Sequence, residues 1–406
     1  MNNKAVEETL HEQEKWILFI LIAINFTHIM DFVVIAPLNP FLKEALVIDS
    51  SQFGILVSSY TFSAGVAGLI AFFKFDAYDR RKALLFLYAG FIFGNLLCAV
   101  APGYKFFLFS RILAGAFGGV LSVLIFSVIG DVIPPERRGK AIGMVMAAFS
   151  GASVIGIPIG LFLTHQFDFH APFVLLTALS VILYVVIWKK FPSLTLHFKK
   201  GTHDQIDRKK LLLSFLHNAN VRNALGLTFF LTLSGFMVVP FVSDYMVNNV
   251  HLDRKMLGYI YFFGGIATAV TGPWVGRMAD KFGAQRVFVI CATLAIFPLF
   301  FITALPPLAV WFLFPFTTVF FILFGSRFVP AVTLVTSAVN PRERGSFMSI
   351  NTSTQQFASA FAAMLSGFIV SNTPEGKVEH FWVVGICAVV FSIVSIMISF
   401  SVKQVS

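Results

Sequence analysis

The sequence predicts an all-α membrane protein of twelve transmembrane helices in two six-helix halves, and three observations carry that expectation. Hydrophobic residues make up 57% of the 406 and charged residues only 12%, too little polar material to cover a surface in water. Apolar runs of about twenty residues, the length a helix needs to cross a hydrocarbon core of about 30 Å, recur twelve times. Two loop motifs recur at nearly one offset, as a duplication leaves them. The 50 phenylalanines add a large apolar area whose natural solvent is lipid.

The runs cover residues 16–38, 51–73, 83–100, 106–133, 139–163 and 171–188, then 223–247, 256–275, 287–305, 308–339, 346–370 and 381–402, separated by polar or turn residues. The first follows a polar tail with four glutamates. A cleaved signal would have a basic start, a shorter apolar centre and a small-residue cleavage site, so a retained helix is expected. The longest connection, residues 189–222, holds eight basic residues and divides the runs six and six. The expected units are an N-terminal bundle over 1–190, a cytoplasmic linker over 191–222 and a C-terminal bundle over 223–406. Within the linker, residues 207–216 (DRKKLLLSFL) read either as a short helix on an anionic leaflet or as a solvated segment. Of the 30 Lys and Arg, 23 fall on the face holding both tails, the linker and the even-numbered loops, against 5 on the other, with Arg111 and Arg327 inside runs. The positive-inside rule then puts both termini in the cytoplasm of an inner or plasma membrane.

The net charge of +10 has its origin in those loops. No stretch interleaves basic residues with exposed aromatics, so no nucleic-acid partner is expected. Cys98, Cys291 and Cys387 each sit in an apolar run without CxxC spacing and read as core residues; neither a metal site nor a cofactor is expected. Gly139-Lys140 is followed by Ala141 and Gly376-Lys377 by Val378, which excludes a phosphate-binding loop, and His11-Glu12 lacks the second histidine of a zinc protease helix. The expected partners are the lipid bilayer, a small-molecule substrate and protons, with a monomer as the assembly and no enzymatic activity. A non-transporting sensor is the minor alternative.

The second loop reads Phe72-Phe-Lys-Phe-Asp76-Ala-Tyr-Asp79-Arg80-Arg81-Lys82, and 204 residues on stands Gly276-Arg-Met-Ala-Asp280-Lys281-Phe-Gly283-Ala-Gln-Arg286. Pro135-Glu-Arg137-Arg138-Gly139 is matched 206 residues on by Pro341-Arg-Glu343-Arg344-Gly345. On these features the chain resembles the major facilitator superfamily over essentially its whole length. That family's loop motif, G-x-x-x-D-R/K-x-G-x-R/K-R/K, is met by Gly276, Asp280, Lys281, Gly283 and Arg286. The first half keeps Asp76, Arg80, Arg81 and Lys82, with Phe72, Ala77 and Asp79 replacing the first Gly, the Arg and the second Gly. The resemblance implies that Asp76 and Asp280 clamp the cytoplasmic side.

Three further stretches resemble the proton-coupled drug and sugar efflux branch: His28-Ile-Met-Asp31-Phe32 with Pro37-Leu-Asn-Pro40, Arg111-Ile-Leu-Ala-Gly115, and Gly156-Ile-Pro158-Ile-Gly160. The last matches part of the antiporter helix-five motif, so Gly156, Pro158 and Gly160 serve either antiport or plain packing. Efflux by antiport is the expected function, with proton symport of a small solute or metal chelate as the rival.

A lone charge at mid-bilayer costs roughly 3 kcal/mol even on the mild insertion scale. Asp31 is the one acid placed clearly inside a run, with Asp131 and Asp244 near run ends. Counting 1.5 Å per residue, Asp31 and Arg111 lie at matching depths of about 10 and 8 Å below the same face. The pair reads as a proton-coupling site or as a permanent ion pair. His28, one turn before Asp31, either shares the proton or hydrogen-bonds within the bundle. Arg327 lies inside its run with no embedded acid in its half, which invites an anionic substrate group or pairing with helix carbonyls or a Gln. Tyr60, Ser150, Ser153, Asn351, Gln355 and Gln356 are the remaining candidates for lining a substrate cavity.

Overall fold

The computed structural model describes residues 3–74, 79–194, 208–340 and 343–405. The first half runs through α1 (Asn3–Val33), the short α2 (Asn39–Leu46), α3 (Ser50–Lys74), α4 (Arg80–Ala99) and α5 (Tyr104–Val132). A broken fifth span follows, made of α6 (Pro135–Met146), α7 (Ala148–Gly151), a π-helical turn (Ala152–Gly156) and α8 (Ile157–Gln166), and then α9 (Ala171–Lys190). In the linker lies α10 (Arg208–His217). The second half comprises α11 (Ala219–Asn248), α12 (Leu257–Phe282), α13 (Ala284–Phe301), α14 (Val310–Ser326) with α15 (Phe328–Ser337), α16 (Arg344–Ile369) and α17 (Phe381–Ser399).

All twelve expected spans are therefore helical. Ten are long and apolar enough to cross a membrane by themselves. The other two, α12 and α16, are each 26 residues long but carry Gly, Thr and Tyr, or Ser, Thr, Asn and Gln, and so rely on neighbouring helices to cover their polar faces. All five tryptophans are at least half-exposed, from Trp16 at 50% to Trp311 at 86%. A bilayer is the solvent that suits those rings and the many exposed phenylalanines.

Two runs expected as single helices are interrupted, each for a local reason. The first, expected over 16–38, stops at Val33 and turns before α2, because Pro37 has no N–H to give the Val33 carbonyl and disfavours helical geometry in Ala36. The fifth widens into the π-turn four residues ahead of Pro158, whose ring cannot tolerate the Val154 carbonyl in an α-helical position. The tenth, expected over 308–339, is divided at Arg327 between α14 and α15, but the residue keeps helical angles (φ −73°, ψ −23°) and the two pieces continue one another as a single span. A two-stranded antiparallel hairpin, Ser371–Asn372 with Val378–Glu379, joins α16 to α17 and was not legible in the apolar pattern.

The halves meet through closely packed small residues. A Cβ on Gly54 of α3 would stand 2.6 Å from the Ala363 carbonyl oxygen and 2.8 Å from the Gly367 Cα of α16, so the two backbones approach closely only because neither glycine has a side chain. Likewise a Cβ on Gly265 of α12 would stand 2.9 Å from the Val154 side chain and 3.1 Å from its backbone nitrogen. At the end away from the linker, one hydrophobic core draws Met30, Val34, Leu42 and Phe53 together with Met237, Val238, Phe241 and Val250. Toward the linker each half keeps its own core, with Phe72 reaching from the first into the second.

Candidate functional site

Asp31 and Arg111 meet at the centre of the first half. Arg111 Nη1 donates to Asp31 Oδ1 at 2.6 Å and Nη2 approaches the Asp31 carbonyl at 3.4 Å. Exposure is 0% for Asp31 and 1% for Arg111, so the pair is wholly desolvated and depends on its short charge-assisted bond. Tyr60 of α3 closes one side, its ring 4.2 Å beneath the guanidinium carbon in a cation–π contact. Asp31 Oδ2 lacks a well-aligned donor and has the Tyr60 hydroxyl as a neighbour. His28, one turn away and also buried, places Nδ1 3.4 Å from Ser122 Oγ and leaves Nε2 without a hydrogen bond. One carboxylate, one guanidinium, a phenol and an imidazole thus share a dry pocket.

Arg327 is the second buried cation, at 0% exposure. Its Nε donates to the Phe324 carbonyl at 3.3 Å, its Nη1 to Ser234 Oγ of α11 at 3.0 Å, and its Nη2 finds no acceptor. The rings of Phe324 and Phe328 flank the guanidinium at 4.8 and 5.5 Å. Among the described residues no Gln hydrogen-bonds to it and no acid pairs with it; the carbonyl and hydroxyl satisfy only part of the fork. Asn351 is buried and accepts from Thr228 at 2.7 Å. Gln355, Gln356, Ser150 and Ser153 are half-buried, Ser153 donating to the Phe149 carbonyl of its own helix.

In helix five, a Cβ on Gly156 would meet the Met30 side chain at 2.9 Å and one on Gly160 would meet Val34 at 2.8 Å. The two glycines therefore pack on either side of Asp31, against Met30 of α1 and against Val34 in the turn that follows it, while Pro158 lies against Gly258 of α12 in the other half. The loop motifs are only partly engaged. Gly283 has φ of 89°, a left-handed geometry that favours glycine between α12 and α13. Gly276 is half-buried, whereas Asp280 and Arg286 are exposed with no ion pair among the described residues. Arg80 is buried and bonds Asp131 Oδ2 of α5 at 3.0 Å, and Arg81 donates to the Trp188 carbonyl. Asp76 lies outside the described residues. Asp79, which breaks the family pattern, caps α4 by accepting from the Arg81 and Lys82 backbone and takes a further hydrogen bond from Ser193. Desolvation is the largest single effect and pushes its carboxyl up, but the Ser193 hydroxyl and the backbone donors together outweigh it and hold the group below the ordinary carboxylate range.

Sequence reasoning missed a second buried acid. Asp244, expected near a run end, is 1% exposed because α11 continues past it to Asn248 and the opposite half covers it. Lys43 of α2 bonds its Oδ2 at 2.9 Å, and Asn248 donates to its Oδ1 at 2.7 Å. The same Lys43 ammonium reaches Ser50 Oγ and Asn372 Oδ1, and Asn39 donates to the Pro240 carbonyl at 2.7 Å. The network ties the halves together at the end away from the linker. Its only sequence signal was an Asp one turn inside the end of the run 223–247 and a Lys five residues beyond the end of the run 16–38.

The sequence model of the Major Facilitator Superfamily matches residues 21–225 and again 224–404. The chain belongs to that superfamily. The uncharacterized MFS-type transporter YbcL of Bacillus subtilis strain 168 is 25% identical over 395 residues, 95% of this chain and 96% of the relative. A probable sugar efflux transporter of Helicobacter pylori strain J99 is 23% identical over 275 residues, 66% and 68% of the two chains. Among solved structures, a bacterial homolog of the human lysosomal transporter Spinster superposes with TM-score 0.75 at 14% identity, covering 96% of each chain. A D-xylose-proton symporter does so with TM-score 0.74 at 14% identity, covering 94% and 96%. As a member of this superfamily the chain is an integral, multi-pass secondary transporter of small molecules working by alternating access, not an enzyme.

Proposed function

We propose that this transporter is a proton-coupled exporter of a small amphipathic molecule, with Asp31 as the acid that exchanges the proton and Arg111 as its movable charge partner. The single observation that carries this reading is the wholly buried Asp31–Arg111 bond at 2.6 Å. A carboxylate held against a guanidinium keeps its charge, whereas the same carboxylate left in an apolar pocket takes up a proton. Any rocking of α5 against α1 that lengthens the bond therefore converts helix movement into proton capture. Gly156 and Gly160, packed against Met30 and Val34 on either side of Asp31, would let helix five slide along this stretch as the halves rock. His28, with a free ring nitrogen beside the pair, is assigned as the proton's relay.

The 23 to 5 distribution of basic residues supports cytoplasmic termini. On that orientation the Lys43–Asp244 network lies at the outer side. Arg327, Asn351 and Gln355 on the second half, and Tyr60 on the first, are assigned to the space between the halves where the substrate binds. The probable sugar efflux relative favours export; proton symport remains the rival because helix five has Gly156-Ile-Pro158 in place of the full antiporter motif. Proteoliposomes holding a pH-sensitive dye separate the two. In a screen of drugs, sugars and chelating acids, protons should move opposite to the transported compound, and movement in the same direction makes the chain a symporter.

A further inference from the structure

We propose that Arg327 is the anchor for an anionic group, and hence that the transported compound is an amphipathic organic monoanion. The inference rests on the reading of the chain as a carrier that binds its substrate between the halves, and narrows it to a chemical class.

Four observations converge. Arg327 is wholly buried, yet one arm of its fork, Nη2, has no acceptor; a buried guanidinium left part-satisfied and without a counter-ion is expensive to maintain for packing alone. Arg327 stands at the junction of α14 and α15, inside a span of 28 residues, Val310–Ser337, and a charge embedded in a membrane span marks a substrate path more often than a packing contact. Gly235 offers no side chain over the free arm, since a Cβ there would stand 2.8 Å from Nη2. Finally, the adjacent Phe236 touches Phe32 of the first half at 5.7 Å between centroids, and Phe32 stacks on Tyr60 at 5.9 Å, on which Arg111 sits. Phe32 and Phe236 thus bring aromatic surface from both halves to the turn of α11 that carries Ser234 and Gly235. A ligand seated there would find aromatic surface for its apolar body and, at one end, Nη2 and the Ser234 hydroxyl for a carboxylate or sulfonate.

The test uses the full chain in detergent with naphthalene-2-sulfonate, naphthalene-2-carboxylate and the neutral naphthalene-2-sulfonamide, reading the thermal unfolding midpoint against probe concentration. The two anions should bind at least about tenfold more tightly than the sulfonamide, the order expected for a charge-assisted hydrogen bond. Arg327→Gln should erase that preference and Arg327→Lys should keep part of it. If Arg327→Gln does not fold, Arg327→Lys and Ser234→Ala serve instead, each weakening the anions while leaving the sulfonamide unchanged. Equal binding of anions and sulfonamide by the wild type overturns the proposal, as does an anion preference that survives in these variants. A wild type that moves protons with its substrate but shows no anion preference rejects the anchor alone.

Discussion

Arg111 and Asp31 illustrate how a residue-level argument from depth can locate a site. Two charges counted to the same level of the membrane, on helices running in opposite directions, had little choice but to neutralise each other, and they bond at 2.6 Å. Arg111→Ala should then be the harsher variant. It strands a buried carboxylate and should cost about 3–5 kcal/mol, read as a lowered unfolding midpoint, while Asp31→Asn should leave more folded protein. Lys43 and Asp244 were not legible by the same counting, because each sits close enough to a span end to read as solvated; only the meeting of the halves buries them. Asp79 makes a different kind of prediction. Its carboxyl is held below the ordinary value by the donors that cap α4, so its stabilisation is complete above the unfolded value and is lost as pH falls through the lower folded one. Asp79→Ala should cost about 1 kcal/mol near neutrality, and the gap from wild type should close below about pH 4. A gap that widens on acidification would contradict the cap.

At the scale of elements, apolar run length revealed the number of helices but not their interruptions. The pattern in residues 308–339 is continuous, so the irregularity at Arg327 left no mark on it; the end of α1 before Pro37 and the widened turn ahead of Pro158 were equally unmarked, because proline does not interrupt an apolar run. The α3–α16 crossing was illegible for another reason: glycine is common in membrane helices, and nothing local distinguishes a glycine facing lipid from one facing a neighbouring backbone. The structure separates them. Gly54→Leu places atoms where the Ala363 carbonyl and Gly367 already are, and should destabilise by roughly 1–3 kcal/mol through overpacking. Gly272→Ala, where a Cβ meets nothing within 4 Å, should stay within about 0.5 kcal/mol of wild type. Equal midpoints for the two variants in thermal unfolding would show that the crossing bears no load.

For the whole molecule, the six-plus-six plan was legible because duplication left paired loop motifs at offsets of 204 and 206, while the conformation was not, since one sequence must serve every state of the cycle. The shared core and the Lys43–Asp244 bond close the end away from the linker. Asp244→Asn should loosen that end and shift the population toward the state open there. Spin labels spanning the halves at that end should show a longer distance than in wild type; an unchanged distribution would remove the bond from gating. Orientation is checked by cysteines placed in the linker, which should resist an impermeant reagent added outside intact cells. The central claim, that Asp31 carries the proton, is tested most directly in liposomes with an imposed pH difference, by comparing transport per folded molecule for wild type and Asp31→Asn. The account predicts substrate binding but no uphill transport by Asp31→Asn; proton-driven transport at the wild-type rate would contradict it.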